Sequence, residues 1–132
     1  MPEVVTDVPP ADAHLAIRVT AMPADANAYG DIFGGWLMSL MDSAAGLVAA
    51  RFAKGRAVTI AVEGMKFHAP VHVGDEVSVY AEMATVGRTS MTIDVQSWRR
   101  HRHAEETCLV TQARFTFVAI DEDRKPRVVG NG

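Results

Sequence analysis

One long, nearly uncharged stretch limits what this chain can become. GDIFGGWLMSLMDSAAGLVAA, Gly30 to Ala50, is apolar or small after its opening turn, yet Asp42 stands near its middle. A run apolar on nearly every side reads as a helix that must be covered nearly all round. Burying an ionised carboxylate in such a helix is costly unless something compensates it. The fold must therefore satisfy Asp42 or put it to use.

The flanking segments say what does the covering. HLAIRVT, His14–Thr20, alternates with Leu15, Ile17 and Val19 on one face, a strand pattern. AMPADANAYGDIFGG then carries the Pro, Asp, Asn and Gly of turns and helix starts. The spacing predicts a helix from Gly35 to Ala50, with Gly55 as its stop. Four strands are predicted after it, at Ala57–His68, Glu76–Ala84, Ser90–Trp98 and Thr107–Ile120, separated by PVHVGD, TVGR and RRHRHAEE. The order β-α-β-β-β-β argues for an α+β fold with a mainly antiparallel sheet. A single curved sheet wrapped round one such helix leaves a strip of it exposed, so the pattern favours an oligomer. Residues 1–13 read as a flexible tail, 14–122 as one domain and 123–132 as a polar C-terminal tail.

Composition excludes several classes. The 132 residues suit one domain, and a formal net charge of −3 gives no footprint for nucleic acid. The single cysteine, Cys108, rules out an internal disulfide framework and fits a reducing cytoplasm. It is most simply a small core or edge residue. The acidic, proline-rich start MPEVVTDVPPADAH does not read as a signal peptide. Asp42 interrupts the stretch nearest to a membrane span, so neither secretion nor membrane insertion is expected.

MPADANAYGDIFGGWLMSLMD, AVEGMKFHAPVHVGDEVSVY, VGRTSMTIDVQSW and ARFTFVAIDEDRKPR, in that order, resemble the hotdog-fold acyl-CoA thioesterases of the YciA type. The resemblance runs from about Ala21 to Val129. Tyr29 stands where relatives often carry Asn, and Phe33 where more distant ones carry His. The resemblance implies a curved antiparallel sheet around one central helix, and hydrolysis of acyl-CoA to free acid and coenzyme A. It implies no cofactor beyond the coenzyme A of the substrate, no metal, and a hexamer built as a trimer of dimers. The family's catalytic acid matches Asp42.

The residues give these roles physical content. On a helix, Gly35, Ser39, Asp42, Gly46 and Ala49 fall close together, small and polar beside bulky Trp36, Leu37, Leu40, Met41 and Leu47. Two readings are open for Asp42: a carboxylate satisfied by serine hydroxyls, or a base facing a cavity, its pKa raised by burial. As a catalyst it would be a general base on water or a nucleophile passing through an anhydride. Gly34 and Gly35 form a tight turn or offer backbone N–H groups to a developing oxyanion. Gly34 and Asp42 are eight residues apart, about 12 Å along a helix, and cannot both reach one carbonyl. A dimer with antiparallel helices would join the glycine end of one subunit to Asp42 of the other. Asn27 would orient water or the thioester carbonyl, or close an Asx turn. Asp31 reads as a cap or turn residue. Ser39 and Ser43 lack the G-x-S-x-G elbow of a nucleophile.

For coenzyme A, the turn Gly87, Arg88, Thr89, Ser90 offers an arginine and two hydroxyls to a phosphate, or is simply a hairpin. Arg56 and Lys66 are further candidates. WRRHRH reads as a solvated basic loop, and His101 and His103 with Glu105 and Glu106 lack a recognised metal-ligand spacing. His68 and His72 read as ordinary surface or core residues. The alternatives are an enoyl-CoA hydratase or dehydratase, which wants a histidine near the acid, and a non-catalytic acyl-CoA sensor, which would not need Asp42.

Overall fold

The computed structural model describes residue 9 and residues 13–129. Its elements are β1 (His14–Thr20), a short 3-10 turn at Pro23–Asp25, α1 (Gly34–Ala53), β2 (Ala57–Phe67), β3 (Glu76–Val86), β4 (Ser90–Arg100) and β5 (Thr107–Ala119). One five-stranded sheet runs β1-β3-β4-β5-β2, with every neighbouring pair antiparallel. The expected β-α-β-β-β-β order and the hotdog arrangement both hold. Most of the N-terminal segment 1–13 lies outside the described residues.

Alternation explains how the sheet takes the helix. Val77, Val79 and Ala81 of β3, Met91, Ile93 and Val95 of β4, and Phe115, Phe117 and Ala119 of β5 are all buried. Leu37, Met41, Ala44, Ala45, Ala49 and Ala53 of α1 belong to the same core. The intervening strand residues turn outward, where Arg114 grips Asp94 through two bonds of 2.7 and 3.1 Å. That hydrogen bond, with the attraction between the charges, holds the guanidinium pKa above its usual value.

The helix begins one residue earlier than its spacing predicts and ends three later. Its N-cap is Phe33, which makes no side-chain cap bond. Asp31 therefore does not cap it. The residue in left-handed conformation after the helix is Lys54, at φ 56°. Gly55 serves differently: a Cβ there would come 2.7 Å from Arg127 Nη2. That approach lets Arg127 donate to the Ala53 carbonyl at 2.7 Å and to the Ile120 carbonyl at 3.2 Å.

Residues 123–129, read as a polar tail, are folded against the domain. Asp121 Oδ1 accepts the N–H groups of Asp123 and Lys125. The Val129 N–H donates to the Arg88 carbonyl, and Val129 is buried. The sequence run is polar, but Arg127 finds the carbonyls at the helix end and Val129 finds the core.

One face of α1 stays open in the single chain, as a lone sheet requires. Gly35, Met38, Ser39, Asp42, Ser43 and Leu47 are exposed on it, while Ala49, expected in the same stripe, is fully buried. β2 forms the adjoining sheet edge and leaves Ile60, Val62 and Phe67 exposed. No described helix is long and apolar enough to cross a membrane.

Candidate active site

Asp42 lies on that open face, in the third turn of α1. The cavity-facing, buried acid anticipated from the sequence is not present within one chain. The sheet covers the opposite side of the helix, and no described residue buries Asp42. One oxygen is nonetheless fixed: Thr59 Oγ1–H of β2 donates to Asp42 Oδ1 at 2.5 Å. Oδ2 has no partner among the described residues and points to no serine hydroxyl. Ser39, offered as a compensating hydroxyl, instead donates to the Trp36 carbonyl. The stabilising donor comes from a strand that the helical pattern could not reveal.

The helix start opens on a cleft of about 350 Å³ lined by Ile32, Gly34, Leu37, Phe67, His68, Ala69, Pro70 and Val71. A Cβ on Gly34 would come 3.3 Å from Phe67 Cζ, so the ring packs directly on the bare backbone. The N–H groups of Gly34 and Gly35 have no partner among the described residues, as befits the first turn of a helix. Helix geometry favours negative charge at that point. The cleft contains a histidine, His68, which the sequence pattern set aside. It contains no carboxylate, and about 12 Å of helix separates its glycine from Asp42. One chain thus holds a helix-start cleft without an acid and an acid without a cleft.

The lead-in loop places Asn27 close to this helix start. Asn27 Oδ1 accepts the N–H groups of Tyr29 (2.8 Å) and Asp31 (3.1 Å), an Asx turn. The Asn27 N–H donates to the Asp31 carbonyl at 2.6 Å, and the Phe33 N–H to the Asp25 carbonyl at 3.1 Å. The carbonyl oxygen of the side chain is thereby committed to the loop, and its NH₂ group has no partner among the described residues. Asp31 itself pairs through its backbone with His72 and lies 3.5 Å from the His72 ring.

Of the basic candidates, the fold gathers some and separates one. Consecutive N–H groups of Ala119 and Ile120 donate to the carbonyls of Thr89 and Arg56. The turn Gly87–Ser90 and Arg56 therefore flank the end of β5, near the C-terminal end of α1. The turn is closed by the Gly87 N–H on the Ser90 carbonyl at 2.8 Å. Arg88 and Arg56 are exposed, and neither guanidinium is tied to another described residue. Lys66 sits at the far end of β2, nine residues from Ala57 and roughly 30 Å away at strand rise. It shares an outer-face basin with Glu63, Glu82 and Asp94.

The sequence model of the Thioesterase superfamily matches residues 29–106, more than half of the chain. This chain is a member of the thioesterase superfamily. An uncharacterized acyl-CoA thioester hydrolase of Zymomonas mobilis is 62% identical to it over 111 residues, 84% of this chain and 74% of that one. The acyl-CoA thioester hydrolase YciA of Escherichia coli is 46% identical over 126 residues, 93% of this thioesterase and 94% of its own length. Among solved structures, the hexameric thioesterase y2039 from Yersinia pestis superposes with a TM-score of 0.87 at 45% identity, covering 92% and 98% of the two chains.

For this thioesterase, sequence reasoning missed Thr59, His68 and the pairing of Asp31 with His72. A threonine three residues into a strand carries no mark that it faces a helix acid. The period-2 pattern narrows the choice of inward residues, but the register slips just after Thr59. His68 had a better signal, since it follows directly on Phe67 at the end of the same strand.

Proposed function

We propose that the chain is an acyl-CoA thioesterase whose working site is shared between two copies, with Asp42 from one and the Gly34 end of α1 from the other. The observation that carries this reading is the separation just described: Asp42, oriented by Thr59, on an uncovered face, and a helix-start cleft with free N–H groups but no acid. Antiparallel pairing of two such helices brings each acid to the other's cleft and covers the exposed strip, in an isologous dimer with two equivalent sites. The hexameric assembly of the Yersinia pestis thioesterase supports a trimer of these dimers.

In this arrangement Asp42 Oδ2 takes a proton from water, and the water oxygen bonds to the thioester carbon. The carbonyl oxygen becomes an oxyanion and accepts N–H groups from Gly34 or Gly35. The C–S bond then breaks, and the coenzyme A thiolate leaves and takes up a proton. The covalent variant, in which Asp42 attacks and water opens the anhydride, uses the same atoms. After a first turnover in heavy-oxygen water, label in Asp42 identifies the anhydride opened at the Asp42 carbonyl, whereas direct attack, or opening at the acyl carbonyl, labels the product acid. The Asn27 NH₂ group orients the water or the carbonyl. Arg88, Arg56 and the hydroxyls of Thr89 and Ser90 meet the phosphates of coenzyme A. Water and protein groups suffice for every step, and the substrate is a thioester of a compartment that keeps Cys108 reduced.

The test is thiol release from acyl-CoAs of several chain lengths by the wild type and by Asp42→Ala. The variant loses at least ~100-fold in turnover while remaining folded. A folded Asp42→Ala with near-normal turnover overturns the assignment. His68 in the glycine cleft gives a hydratase reading one specific observation, and the same assay decides it, because hydration leaves the thioester intact and releases no thiol.

A further inference from the structure

Two histidines outside the reaction just described form a linked set with two carboxylates. The rings of His72 and His101 are stacked, with centroids 5.9 Å apart and planes 21° apart. His101 Nδ1 lies 2.9 Å from Oδ1 of Asp75, which is buried. Asp75 Oδ2 accepts the His72 backbone N–H at 2.9 Å, and the Asp75 N–H returns to the His72 carbonyl at 3.0 Å. Asp75 thus fixes both the backbone of His72 and the ring stacked on it. His72 Nδ1 also lies 3.5 Å from Asp31 Oδ1. Asp31 is the residue whose N–H and carbonyl hold Asn27.

We propose that His72 is a positioning residue: in contact with both His101 and Asp31, its ring holds the loop that presents Asn27, and holds it more firmly when protonated. The inference rests on the reading of Asn27 as a site residue. Its warrant is the geometry of the chain of contacts. At 3.5 Å a neutral imidazole makes no good hydrogen bond to Asp31, whereas an imidazolium is drawn to it by charge. With both rings neutral the four groups carry two negative charges from Asp31 and Asp75, and with both rings protonated they carry none. Protonation of His72 therefore tightens its ring on Asp31. The other charges facing the set are arginines from the β4 end. Arg99 donates to the Pro70 carbonyl, and the Cδ of Arg102 comes 4.0 Å from where a Cβ of Gly74 would stand.

The experiment compares turnover of a short-chain acyl-CoA by the wild type, His72→Gln and Asn27→Ala from about pH 6 to about pH 8.5. His72→Gln lowers turnover at least ~3-fold at the acid end with KM little changed, and its deficit narrows as the wild-type ring loses its proton. A deficit that is constant with pH marks a merely structural residue and overturns the proposal. Asn27→Ala loses turnover at every pH. If it does not, the site reading fails, independently of the histidine. Should His72→Gln not fold, Asp31→Asn serves in the same pH comparison: it shows the same acid-end deficit, and a deficit constant with pH overturns the proposal.

Discussion

Thr59 donates its hydroxyl to Asp42 at 2.5 Å, joining the edge strand of the sheet to the open face of the helix. The bond fixes one carboxylate oxygen and leaves the other to face whatever covers α1. It also explains how an apolar helix tolerates a charge: the acid is placed at the rim, beside a donor, not in the packed core.

Removing that donor frees the carboxylate to rotate. Thr59→Val is expected to lower turnover by about 10-fold with KM within about 2-fold of the wild type, in line with the loss of a hydrogen bond to a charged group. Thr59→Ser keeps the hydroxyl and restores most of the activity. Steady-state kinetics of the two variants, side by side, checks both statements.

Subunit mixing tests the shared site. Asp42→Asn lacks the acid and Gly34→Pro lacks the helix-start N–H. Proline is well tolerated at the first helical position, and Phe33, at φ −57° and ψ 133°, already has the backbone that a residue before proline requires. Each variant is first shown to fold and assemble, and the two are then unfolded together and refolded. Random pairing makes half of the dimers mixed, and each mixed dimer has one intact site, so roughly a quarter of all sites regain activity. If acid and donor belonged to the same chain, every site would carry a lesion and none would recover. If Gly34→Pro alone stays active, the donor is Gly35 and the mixing is repeated with that residue.

Arg88 is held through its backbone carbonyl, and its guanidinium has no partner among the described residues. Arg88→Ala is expected to raise KM more than it lowers turnover, since a phosphate contact is made equally in the ground and transition states. A truncated thioester without the nucleotide should barely distinguish the variant from the wild type. Equal losses with the two substrates would point to misfolding.

Arg127→Ala removes two hydrogen bonds from a charged donor, one of them to the Ala53 carbonyl at the end of α1. A loss of about 1–3 kcal/mol in stability is expected, measured by denaturant unfolding of the assembled protein.

Periodicity sufficed for the strands and the helix because each shows its buried face locally. Leu37, Met41, Ala44 and Ala45 mark the helix, and the alternating Val77, Val79 and Ala81 mark β3. The glycine pair and Asp42 were legible because a charge and two bare backbones are conspicuous in an apolar run. The rest of the site depends on which side of an element meets which neighbour. Thr59 is seventeen residues from Asp42, and His72 meets Asp31 only after the lead-in loop has folded back beside it. In 123–129 the charges of Asp123, Arg124 and Lys125 do face solvent, but Arg127 donates to two backbone carbonyls, a contact that the polar run does not announce.

The sheet order carries a consequence for how the protein is made. β1 and β2 are the first two strands synthesised, yet they occupy the two opposite edges of the sheet, and β2 pairs only with β5, the last strand. Thr59 is held in place opposite Phe117, so it can settle against Asp42 only after nearly the whole domain has left the ribosome. Pairing across so long a loop is slow to form. Asp42 is therefore oriented at the end of folding, and a partly synthesised chain carries α1 with that carboxylate still unaimed.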